Sequence, residues 1–258
     1  MARIISVLSG KGGVGKTTCV VNLATSLATK FGQKVVMIDC NVTCSHLGLQ
    51  IGLYRPLNTL NDVLKGKARM EQSLYQYLPD LTIVPASLNL NDLERVNLKK
   101  LASTVSKSFG DHDFVLLDAA AGFGKEATSA ILASQEVLFV TTPDVPAITD
   151  IIKGKDLTEK LNKKSLGIVL NRVRNKKFEL DSREITNLTG LPILGVIPED
   201  IQVIESVASK CPVVMYNPSS QASIAYFKLA ALLSGRTYKE PKLNLWERVK
   251  RIFTSHSL

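Results

Sequence analysis

The chain has 258 residues, 45% of them hydrophobic, and a formal charge of +9 from 32 Lys+Arg against 23 Asp+Glu. Such a chain buries a substantial core as one large α/β domain or two small ones, which excludes wholesale disorder, and its positive charge calls for an anionic partner: a nucleotide, a nucleic acid or an acidic membrane surface. Its four cysteines (Cys19, Cys40, Cys44, Cys211) form no C-x-x-C pair, no secretory signal opens it and no apolar run nears the roughly 18 residues of a membrane span, so a soluble, cytoplasmic protein with reduced thiols is expected.

In chain order, the apolar run Ile4–Leu8 reads as a strand, followed by the glycine-rich stretch SGKGGVGKTT from Ser9 to Thr18. A helix is predicted over Thr17–Lys30, with Val20, Leu23, Leu27 and Phe31 on one face and Gly32 placed to stop it. Strands then follow at Lys34–Ile38, Leu81–Val84, Phe114–Leu117, Val137–Thr141, Leu166–Leu170 and Ile193–Ile197. Helices are predicted over Leu90–Ser108, Lys125–Ala133, Ala147–Leu161, Leu180–Leu188 and Ser220–Leu233. The strand runs are continuously apolar rather than alternating, which suits strands covered on both faces. The expected fold is therefore α/β, a mostly parallel, doubly wound β-sheet with helices on both faces. With no internal repeat or low-complexity linker, residues 1–235 read as one domain. Residues 236–258 read as a linker and a C-terminal amphipathic segment.

Gly10-x-x-x-x-Gly15-Lys16-Thr17 fits the phosphate-loop pattern between a predicted strand and a predicted helix. Glycines at Gly10, Gly12, Gly13 and Gly15, with Val14 among them, let successive backbone N–H groups turn toward phosphate oxygens, and the helix N-terminus adds a favourable dipole. Lys16 is placed to reach β- and γ-phosphates, and the Thr17 hydroxyl to complete a Mg²⁺ shell.

The second lysine narrows the reading. K-G-G-V-G-K-T, with Lys11 ahead of Lys16, resembles the deviant Walker A motif of the MinD/ParA family of P-loop ATPases, and further matches run the length of the chain. That resemblance implies ATP or ADP with Mg²⁺ as cofactors, Thr18 beside Lys16 and Thr17 on the phosphates, and Lys11 reaching across a face-to-face homodimer in the ATP state, much as an arginine finger acts. It also implies Asp118 as the Walker B aspartate, Asp39 as a switch I aspartate supporting metal and water, and Gly122 near a γ-phosphate. Asn171-Arg172 resembles the base-reading pair, and Pro198-Glu199-Asp200 the loop beside the base. Two departures stand out. Asn41 replaces the second aspartate of the family's Asp-x-Asp, which leaves a residue able to orient water but not to take its proton, so slow hydrolysis is expected. Ala120 stands where switch II commonly has proline, which frees the loop.

In the tail, Leu245, Trp246, Val249, Ile252 and Phe253 fall at helical spacing, with Glu247, Arg248, Lys250 and Arg251 opposite and Asn244 as an N-cap. An apolar face flanked by basic residues suits an interfacial membrane helix, and MinD-like members of the family end in a similar one. The expectation is thus a switch peripheral on the inner face of the cell membrane when ATP-bound, with an activator or cargo protein as a further partner. A ParA-like ATPase binding DNA non-specifically is the main alternative, and the amphipathic tail is the feature against it. An iron–sulfur carrier would need paired interface cysteines, a pattern that Cys40, Cys44 and Cys211 do not form.

Overall fold

The computed structural model describes residues 2–94 and 96–240; the predicted helical tail at 244–253 lies outside them. In chain order the elements are β1 (Arg3–Leu8), α1 (Lys16–Phe31), β2 (Val35–Asp39), α2 (Leu47–Gln50), α3 (Leu60–Lys65), β3 (Tyr75–Leu78), β4 (Leu81–Val84), α4 (Lys100–Ser108) and β5 (Phe114–Asp118). They continue as α5 (Lys125–Ala133), β6 (Glu136–Thr141), α6 (Val145–Lys160), β7 (Lys164–Val173), α7 (Ser182–Thr189), β8 (Ile193–Pro198), α8 (Ile201–Ala208), α9 (Val213–Tyr216) and α10 (Gln221–Ser234). Short 3-10 turns lie at Met70–Ser73 and Leu90–Leu93.

The strands form an eight-stranded sheet in the order β3-β4-β2-β5-β1-β6-β7-β8. Each pairing is parallel except β3 with β4. Continuous apolar runs form these strands because both sheet faces are covered. On one face Leu101 and Val105 of α4, Ala130 and Ile131 of α5, Ile148 and Ile151 of α6 and Ile185 of α7 pack on the sheet. On the other, Val20, Leu23 and Leu27 of α1 join Val213 of α9 and Tyr226 and Leu229 of α10. Each fully buried aliphatic side chain adds about 1.5–3 kcal/mol, so two such layers dominate the stability of the fold.

Two expectations need correction. The helix expected over Leu90–Ser108 is broken: a 3-10 turn ends at Leu93 and α4 begins only at Lys100, after Asn97 has turned its side chain onto the Lys99 N–H at 3.1 Å. An asparagine that bonds its own backbone two residues on favours a turn over a continuing helix. The edge strand β3 was not expected, because Tyr75-Gln76-Tyr77-Leu78 is partly exposed and carries no continuous apolar run.

The central strand β1 has β5 on one side and β6 on the other, so the strand order reverses there. In open α/β sheets ligands bind at the carboxyl ends of the strands beside such a reversal. Helix α6 approaches this region closely through Gly154, where a Cβ would lie 2.6 Å from a ring carbon of Phe123 and 2.9 Å from one of Phe139. Phe123 sits in a loop and can move, whereas Phe139 is fully buried in β6. Gly154→Ala should therefore lower stability by about 1–2 kcal/mol in urea unfolding, overpacking outweighing the ~1 kcal/mol that alanine adds to a helix. An alanine variant as stable as the parent would show that the packing here is looser than described.

Candidate functional site

The stretch Ser9–Gly15 leaves the end of β1 and turns into α1 with Gly13 at φ 79° and Gly15 at φ 87°, left-handed values that a side chain at either position would disfavour. Helix α1 starts at Lys16 with no side-chain cap and no acidic residue in its first turn, so its leading N–H groups and positive dipole end are available to an anion. The loop is braced from several sides. Gly122 donates its N–H to the Ser9 carbonyl at 2.9 Å. Asn171 Nδ2 donates to the Val14 carbonyl at 2.7 Å and Arg172 Nη1 to that of Gly13 at 3.3 Å. Gly10 rests against α6, where a Cβ would fall 2.1 Å from that of Asp150. Gly12 and Gly13 are exposed at the rim; Val14 is buried, and Thr17 and Thr18 are half-buried.

Beneath the loop, β2 and β5 end together, with Asp39 and Asp118 paired in the sheet register. Both carboxylates are buried. Lys16 reaches down to Asp118, Nζ to Oδ1 2.5 Å, itself largely out of solvent. Asp39 is wrapped by the loop that follows it: it accepts from Ser45 Oγ at 2.8 Å and from the N–H groups of Asn41, His46 and Leu47 at 3.1–3.2 Å. Burial, and then the nearby Asp118 charge, push the Asp39 carboxyl up to about 7 in spite of those hydrogen bonds. Two buried carboxylates, one of them paired with an ammonium, thus lie at the base of an anion-accepting loop. No cluster of three or more His, Cys, Asp and Glu side chains arranged for a metal occurs among the described residues. A magnesium-type cation fits this donor set, since it takes one or two carboxylates and completes its shell with phosphate oxygens and water. Asp118, Asp39 and the Thr17 hydroxyl are the side chains placed to hold or support it.

The remaining predicted residues are less uniform in placement. Asn41 spends its amide on the loop itself, donating to the Cys44 carbonyl at 2.6 Å and accepting from the Cys44 N–H at 3.2 Å. Thr18 Oγ1 accepts from Gln50 at 3.2 Å. Lys11, partly exposed, pairs within its own chain with Asp144 Oδ1 at 3.1 Å. Pro198 ends β8, and Glu199 turns to Arg172 at 3.5 Å and to Arg174, which holds its carboxyl below the usual range. Asp200 caps two helices, accepting from the N–H of Gln202 in α8 at 3.0 Å and of Ala222 in α10 at 3.2 Å. Leu245, Trp246, Val249, Ile252 and Phe253 lie outside the described residues.

Three participants were not foreseen: Ser45 on Asp39, Asp150 against Gly10, and Asp144 on Lys11. Asp144 carried a readable signal, because an aspartate following Thr142-Pro143 and preceding an apolar-periodic run is an N-cap, and it does accept from the Ala147 N–H at 3.0 Å. Burial works against its charge, but Thr142, Ala147 and Lys11 together hold its pKa below the ordinary value.

The model of the CobQ/CobB/MinD/ParA nucleotide binding domain matches residues 5–213. An uncharacterised ATP-binding protein of Methanocaldococcus jannaschii is 36% identical over 239 residues, covering 93% of this chain and 90% of its own length. The septum site-determining protein MinD of Synechocystis sp. is 32% identical over 243 residues, covering 92% of this chain and 91% of its own. Among solved structures, MinD of Pyrococcus horikoshii complexed with Mg-ADP superposes with a TM-score of 0.87 at 34% identity, over 90% of this chain and 96% of that one. The chain belongs to the CobQ/CobB/MinD/ParA nucleotide-binding family.

The buried pair makes a direct prediction. Lys16→Met leaves two carboxylates in register with no cation and should cost about 3–5 kcal/mol in urea unfolding of the nucleotide-free protein, whereas Lys16→Met/Asp118→Asn should recover most of that loss. Equal losses in the single and double variants would show that Lys16 acts through packing rather than charge.

Proposed function

We propose that the chain is a MinD-type ATPase switch that binds Mg-ATP, pairs with a second copy across the nucleotides, associates with the membrane in that state and is released by slow hydrolysis. The observation that carries this reading is the buried Asp39–Asp118 pair under the loop, with Lys16 on Asp118. In this account Lys16, Thr17 and Thr18, with the backbone from Gly10 to Gly15, bind phosphates. Asp118 and Thr17 hold the cation, with Asp39 in support, and the metal adds charge neutralisation at the phosphates. Asn171 lies at the loop, 6% exposed, within reach of a base beside Val14, while Arg172, Pro198, Glu199 and Asp200 frame that side. Gly122 N–H, now on Ser9, is the group nearest to hand for a further phosphate oxygen once switch II shifts.

Lys11 supports the dimer reading by its position: it stands at the open rim and is held only by one partly exposed aspartate, a contact worth about 0–1 kcal/mol. Swinging it from Asp144 to a partner's phosphates therefore costs little. Asn41, locked onto Cys44, offers no base for an attacking water, which supports slow turnover and a long-lived ATP state. The tail would bind weakly as a single copy and gain by avidity in a dimer. Between cycles the protein would reside in the cytoplasm. The positioned cargo would be the division site or another cell structure, with an activating partner speeding hydrolysis.

Co-sedimentation with anionic vesicles tests this, for the full chain and for Lys11→Ala and Trp246→Glu, under Mg-ATP and Mg-ADP. Pelleting with Mg-ATP only, lost in both variants, is the expected result, with light scattering showing a dimer in the parent and in Trp246→Glu but not in Lys11→Ala. Salt-sensitive DNA binding under ATP with no pelleting would contradict the membrane reading and favour a partitioning ATPase.

A further inference from the structure

At the end of the sheet opposite the phosphate loop, a recess of about 650 Å³ opens between the end of α1 and the chain that leaves α10. Its wall carries Lys30, Arg236 and Lys239, with Phe31 and Tyr238 as apolar surfaces, and no acidic side chain lines it. Helix α1 has 16 residues, which sets the recess about 24 Å from the loop. The geometry is held by aromatic contacts: Tyr238 packs on Phe227 with ring centroids 5.4 Å apart, and Lys30 Nζ lies 5.4 Å above the same ring. The neighbouring acid, Glu240, is taken by Lys228.

Cations at helix ends often only balance the helix dipole. Here α1 and α10 both finish at the recess, at Gly32 and Gly235, and together contribute about one negative charge. Three cations exceed that, leaving a net positive, partly apolar recess. Four residues, 241–244, separate Glu240 from Leu245, a span of at most about 18 Å. A tail lying on a membrane must hold this end of the body close to the headgroups.

We infer that the recess is a second membrane contact, a site for the phosphate group of anionic lipids that orients the body while the tail anchors it. This rests on the membrane reading proposed above. Lys30, Arg236 and Lys239 meet the headgroup phosphates, and Phe31 and Tyr238 lie against the glycerol region.

The test is vesicle binding by the full chain under Mg-ATP, on phosphatidylcholine vesicles with and without phosphatidylglycerol. Lys30→Gln/Arg236→Gln/Lys239→Gln is compared with the parent, with Trp246→Glu, and with Lys99→Gln/Lys100→Gln/Lys107→Gln at α4 on the opposite sheet face. Each lost charge near an anionic surface is worth about fivefold. The recess variant should therefore bind phosphatidylglycerol vesicles at least about tenfold more weakly, with dimerisation unchanged and the α4 variant within about twofold of the parent. Recess and parent chains binding alike, with binding lost in Trp246→Glu, would overturn the inference and leave the tail reading standing. An equal loss in the α4 variant would also overturn it, because general charge would suffice. If the recess variant loses calorimetric binding of inorganic phosphate but not of vesicles, the recess takes a free anion and the inference fails. A parent that binds no vesicle at all removes the membrane reading itself, and this inference with it.

Discussion

At the centre of this molecule two buried carboxylates end neighbouring strands, and one of them, Asp118, is paired with the Lys16 ammonium. Parallel strands β2 and β5 end in register at Asp39 and Asp118, so their side chains converge at the same edge of the sheet. Lys16 answers Asp118 from the first turn of α1, whose dipole already favours negative charge overhead. Buried like charges so close are unfavourable, which is why Asp39 is wrapped by four donors and still has its carboxyl pushed up to about 7. A site of this kind is short of positive charge beneath its loop and rich in N–H donors within it. Phosphates with a divalent cation relieve both conditions together.

The surrounding structure keeps that arrangement in place. The glycine-rich loop is bonded to the segment after β5 through Gly122 and to the end of β7 through Asn171 and Arg172, and it is packed on α6 at Asp150. Helix α6 is itself in contact with the loop through Lys11 at its N-cap and with the segment after β5 through the close approach of Phe123 at Gly154. Helix α1 runs from this site to the basic recess at the far end, so nucleotide and recess occupy opposite ends of the molecule.

Most of this was legible in sequence where the signal is local. Continuous apolar runs marked seven of the eight strands, most of them covered on both faces; β3 escaped because it is a half-exposed edge with no such run, whereas the other edge, β8, keeps an apolar run and was read. The phosphate loop could be read because its residues are contiguous, and Asp39 and Asp118 because each ends an apolar run. The split before α4 was hidden by an apolar periodicity that continues through Asn97. Helix α3 was overlooked although Thr59 and Asp62 form a capping box and Gly66 ends it. Long-range pairings were beyond reach: Asp144 meets Lys11 across 133 positions, and Asp200 caps α10 as well as α8. Asn41 was legible as a departure from its family but not as a turn-former, because its partner is backbone.

The central claim is that the two carboxylates and the loop form one site for nucleotide and cation together. Calorimetric titration of ADP with and without Mg²⁺, on the parent chain and on Asp118→Asn, tests it most directly. The account predicts that Mg²⁺ tightens ADP binding to the parent several-fold or more, and that Asp118→Asn retains metal-free binding but loses the Mg²⁺ effect. An ADP affinity independent of Mg²⁺ in the parent, or a Mg²⁺ effect of the same size in the variant, would contradict it.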